Sequence, residues 1–67
     1  MSVARVTEIS SSSEKSFDDA IKTGIARASK TIRKVEGAWI KEQKIVVKNG
    51  VIGEYRVNMQ VTFVLDD

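Results

Sequence analysis

Asn49-Gly50, set between two β-rich runs, constrains this chain more than any other feature. Both central residues of a type I′ turn need positive φ, and Asn followed by Gly tolerates that best. The stretch from Ile40 to Leu65 therefore reads as one long β-hairpin. An unbroken register from that turn sets Lys48 opposite Val51, Val46 opposite Gly53, Lys44 opposite Tyr55 and Gln43 opposite Arg56. It continues with Lys41 opposite Asn58, Ile40 opposite Met59 and Trp39 opposite Gln60.

The second arm alternates. Val51, Tyr55, Val57, Met59, Val61, Phe63 and Leu65 share one face, and Glu54, Arg56, Asn58, Gln60 and Thr62 share the other. A period of two with a single apolar face marks a strand covered on one side. On the first arm Ala38 and Ile40 join the apolar face, and Trp39, Lys41 and Gln43 join the polar one. The single Trp is thus expected among amides and charges, outside the core.

Upstream, residues 2–9 read as a first strand, rich in β-branched side chains. Ser10 to Ser13 reads as a loop into a helix. Ser16 and Asp19 fit a capping box, with Ser13 as an alternative cap. Phe17, Ala20, Ile21, Gly24, Ile25, Ala28, Ile32 and Val35 recur at three- and four-residue steps. They predict one amphipathic helix that Gly37 ends as the C′ residue. Gly24 on this stripe predicts a close approach of helix to sheet. The order is β-α-β-β: an α+β fold with a three-stranded antiparallel sheet on one helix.

At 67 residues the chain is one domain, spanning residues 1–67. A core this small rarely supplies more than about 3–5 kcal/mol, so such chains add a staple. With no Cys and no His, disulfides, thiolate zinc sites and Cys or His catalysis are excluded. Oligomerisation is the staple left. No apolar run reaches membrane-spanning length and no cleavable leader pattern precedes Val3, so the chain reads as soluble and cytoplasmic, without a membrane partner. A net charge of +2 with interleaved signs argues against nucleic acid. The pairs Asp18-Asp19 and Asp66-Asp67 read as a helix first turn and a solvated tail. No nucleophile, base and orienter set is visible, so no enzyme is expected. Trp39, beside Gln60 and Asn58, offers either a stacking platform for a planar ligand or a subunit contact. Arg56 offers an anion contact or a cross-strand hydrogen bond.

These residues resemble a known family, the dodecins, along nearly the whole chain. The likeness runs through Val6-Thr7-Glu8-Ile9, the Ser-rich turn, Ala26-Arg27-Ala28-Ser29-Lys30-Thr31 and the final strand Tyr55 to Leu65. The resemblance implies a hollow homododecameric shell and non-catalytic binding, storage or sequestration of a small ligand. In flavin-binding dodecins a Trp just after the helix stacks the flavin, and a Gln after the Tyr of the last strand bonds its edge. The matching positions here are Gly37 and Arg56. Glycine gives no stacking platform, and arginine gives donors but no acceptor. Gly37, Glu42-Gln43 and Tyr55-Arg56 look more like a branch described as binding calcium. Glu42 and Glu54, with Glu8 and Asp66, are then candidate ligands by chemistry, because calcium takes oxygen donors. Two alternatives accompany this reading. Trp39, displaced two residues along the strand, takes over the stacking of riboflavin or FMN, or the open face docks only protein.

Overall fold

A computed structural model describes residues 3–65. The element order is β1 (Ala4–Ser13), α1 (Phe17–Thr31), β2 (Val35–Lys48) and β3 (Val51–Val64), as the sequence pattern predicts. The strands form one antiparallel sheet in the order β1-β3-β2. Asn49 and Gly50 carry φ of 52° and 75° at the hairpin turn.

The core is small: Ala20, Val57, Met59 and Val61 are fully buried, with Ile9, Phe17, Ile21, Ile25 and Val35 packed around them. Ser16 caps α1, its Oγ accepting from the Asp19 amide at 3.0 Å. Ser13, the alternative cap, instead donates to Asp19 Oδ2 at 2.6 Å. A Cβ on Gly24 would lie 2.7 Å from Met59 Cε and 2.9 Å from Ser11 Cβ. Glycine is what lets the helix sit this close to the sheet. Phe17 closes one end of the core against Tyr55, ring centroids 5.1 Å apart and edge to face.

Several boundaries differ from the sequence expectation. Ser10 to Ser13 is strand, not loop: these residues pair with Asn58, Val57, Arg56 and Tyr55. Ser11 lies under Gly24, where only a short side chain fits, and the serine run carries no apolar alternation to announce the strand. The helix stops at Thr31, with Ile32 already extended. Gly37 does not end it. The left-handed residue of this connection is Lys34, at φ 59°, and Gly37 pairs with Thr62 inside β2. Val35 leaves the helical stripe because pairing with Phe63 adds a sheet contact as well as core burial.

The hairpin register is not continuous. Lys48–Val51, Ile40–Met59 and Trp39–Gln60 pair as expected. Between them the pairing is Val46–Glu54, Ile45–Tyr55, Lys44–Arg56, Gln43–Val57 and Glu42–Asn58, one residue out of step. The expected pairs Val46–Gly53, Lys44–Tyr55, Gln43–Arg56 and Lys41–Asn58 therefore do not form. One bulge places the extra residue Gly53 on β3, and a second places Lys41 on β2 and restores the original register. Each one-residue step exchanges the faces of a strand. Gln43 opposes Val57 and leaves the polar face, while Glu42 and Lys44 take places on it. At the tip, Ile52 opposite Val47, in place of Val51, continues the apolar face.

Candidate functional site

The sheet face away from α1 is polar. Cross-strand neighbours share a face, so its rows follow from the pairing. Trp39, Gln60 and Glu8 form one row; Glu42, Asn58 and Ser10 the next; Lys44, Arg56 and Ser12 the third. Trp39 is 61% exposed. Gly37 lies one row beyond, opposite Thr62, with open space where a Cβ would stand.

Hydrogen bonds lace the face. Lys41 Nζ, on the bulge residue, donates to Glu8 Oε1 at 3.0 Å. That bond raises the Lys41 pKa, and the Glu8 charge adds to the shift. Asn58 Nδ2 donates to Glu42 Oε1 at 2.9 Å. Arg56 Nε donates to Glu54 Oε1 at 3.2 Å, two residues along the same strand. Arg56 first, then the Ser12 hydroxyl, hold the Glu54 carboxyl below the usual carboxylate range. Ser10, Glu42, Gln43, Lys44, Arg56 and Asn58 line a concavity of about 380 Å³.

The candidate residues thus fall into separate places. Trp39 and Gln60 meet. Arg56 lies four residues along β3 from Gln60, roughly 13 Å away. It meets Lys44, a residue that sequence reasoning did not single out. The signal was Gly53: an isolated glycine within a strand marks a bulge, and the bulge sets Lys44 opposite Arg56. Gln43 sits on the helix side by its pairing, though its segment still walls the concavity. Glu42 and Glu54 each have a nitrogen partner. Among the described residues of one chain, no three acidic, His or Cys side chains converge as a metal cluster would require. Asp66 and Asp67 lie outside the described residues. No helix among those residues is long and apolar enough to cross a membrane.

A family profile described as Dodecin matches residues 3–66. No curated protein sequence matches the chain. Solved structures do. A dodecin from Streptomyces davaonensis is 35% identical, with a TM-score of 0.94 over 98% of this chain and 97% of that one. A Thermus thermophilus dodecin with one tryptophan replaced by phenylalanine is 30% identical, with a TM-score of 0.93 over 100% of both chains. A calcium dodecin from Mycobacterium tuberculosis, titled a calcium-chelating antigen with a novel calcium-binding site, is 28% identical. Its TM-score is 0.82 over 96% of this chain and 91% of that one.

Proposed function

The chain belongs to the dodecin family, and from that premise we propose a non-catalytic, cytoplasmic homododecamer that binds and stores a small ligand or cation on its open sheet face. The observation that carries the self-assembly is the helix side of the hairpin. Ile40, Ile45, Val47 and Ile52 are 40%, 42%, 56% and 46% exposed on the face the helix packs against. α1 packs on β1 and β3 and leaves β2 beyond Val35 uncovered. An apolar strip of this kind on a chain with so small a core marks a protein contact.

The usual flavin residues are replaced at Gly37 and Arg56, so the first reading is a shell without the usual flavin pocket, in which calcium is held by carboxylates from several subunits. Glu42 and Glu54 supply them by symmetry, because the described residues of one chain do not bring three together. Calcium should then raise the melting temperature, and Glu42→Gln or Glu54→Gln should shrink that rise. An undiminished rise in both variants would remove these ligands. The second reading is favoured by the exposure of Trp39 beside Gln60: the displaced Trp stacks riboflavin or FMN. Flavin added to the protein should then lose its fluorescence, and Trp39→Ala should restore it. Full quenching in that variant rejects the Trp39 site.

A further inference from the structure

The bulge at Gly53 has a local electrostatic consequence. It makes Lys44 and Arg56 direct cross-strand partners on the open face. Directly opposed like charges are unfavourable in a sheet. Here the pair is only partly compensated. Glu54 meets Arg56 through Nε alone. Among the described residues, no ion pair reaches Lys44, and the hydrogen bond of Arg56 uses Nε rather than its two terminal nitrogens. Both side chains line the 380 Å³ concavity, together with the Ser10 hydroxyl. The one carboxylate in its wall, Glu42, accepts from Asn58 and stands one row away.

We propose that this concavity binds a small oxyanion, a carboxylate or a phosphate group, between Lys44 and Arg56. The guanidinium presents paired N–H donors that match either group, and the ammonium adds a second charge. The oxyanion relieves the Lys44–Arg56 repulsion on binding. Glu42 and Asn58 then set the other end of the site, where a carboxylate repels a second anionic group and accepts from a hydroxyl or ammonium of the ligand. The site therefore takes ligands with one anionic end and one donor end. The inference rests on the reading of the open face as a ligand surface, and it names the ligand chemistry of that face.

The test is calorimetric titration of inorganic phosphate, and separately of acetate, into the full-length protein at low ionic strength, where exposed charges are least screened. The oligomeric mass is determined on the same sample. Saturable binding by phosphate alone assigns a phosphate group, and binding by both assigns any oxyanion. Arg56→Gln should raise the Kd about tenfold or more, the loss expected for a charge-assisted hydrogen bond. Lys44→Gln should raise it about threefold, in line with one exposed charge contact. Glu42→Gln should lower the Kd, and this sign is opposite to its expected effect on calcium. Lys22→Gln, on the helix, should leave it unchanged. Absence of saturable binding by either anion, or wild-type affinity in both Arg56→Gln and Lys44→Gln, overturns the proposal. A dodecamer without anion binding rejects the site and leaves the assembly standing. A monomer that binds phosphate rejects the assembly and leaves the site standing.

Discussion

The two edge strands of the sheet are built the opposite way round from what their surroundings would lead one to expect. β1 lies under the helix, yet its helix-side positions are Arg5, Thr7, Ile9, Ser11 and Ser13, only one of them apolar. β2 lies beyond the helix, yet its helix-side positions include Ile40, Ile45 and Val47, all exposed. Burial within one chain therefore does not explain the composition of β2. On β1, small side chains let Gly24 and the helix come close; on β2, large apolar ones are left open by the described residues. The difference separates what makes one subunit fold from what makes subunits associate.

The sharpest way to break this comparison is in the covered half. Met59 is fully buried at the centre of the core, so Met59→Ala should cost about 3 kcal/mol in denaturant unfolding, within the usual 2–5 kcal/mol for such truncations. A loss below about 1 kcal/mol would mean the core is organised elsewhere. Gly24→Ala comes next. The added methyl meets Ser11 Cβ and Met59 Cε at under 3.0 Å. Met59 Cε can swing aside, but Ser11 Cβ is fixed to the strand. Overpacking of about 1–3 kcal/mol should outweigh the helix-propensity gain of about 1 kcal/mol, and a stabilised variant would contradict the close approach.

The uncovered half should respond differently. Ile45→Ser should change the unfolding of one subunit by about 0.5 kcal/mol or less, the usual range for an exposed site, while weakening association seen by sedimentation. Equal oligomer mass across a wide dilution range in that variant would take Ile45 out of the interface. The smallest effects belong to the exposed ion pairs. The Glu54 pKa is lowered by Arg56, so its contribution is present above the ordinary carboxylate value and lost as pH falls through the folded one. The Lys41 pKa is raised by Glu8, so that contribution is present below the ordinary lysine value and lost as pH rises through the folded one. Melting temperature should accordingly sag slightly at both ends of a pH scan. Arg56→Gln should flatten the acid end only, and an unchanged acid limb would mean the Arg56–Glu54 contact carries no stability.

Much of this was legible in the residues because it depends on local chemistry. Asn49-Gly50 fixed the turn, Ser16 the helix cap, Gly24 the close approach, and the alternation from Tyr55 to Phe63 the covered face. What was not legible depends on long-range pairing. The serine run carries no alternation of its own and is strand only because β3 lies beside it. The helix end was misplaced because Ile32 and Val35 keep helical spacing while Val35 is taken by Phe63. The register was misread at Gln43 and Lys44 because two bulges cancel between the turn and Trp39. A register anchored at the turn and checked at Trp39 looks continuous and is wrong between them.

The central claim is that the apolar strip of β2 is covered by other copies of the chain, and light scattering with native mass spectrometry tests it directly. The account predicts a single species of twelve subunits that persists on dilution into the nanomolar range. A stable, well-folded monomer at micromolar concentration, with Ile40, Ile45 and Val47 open to water, would contradict it.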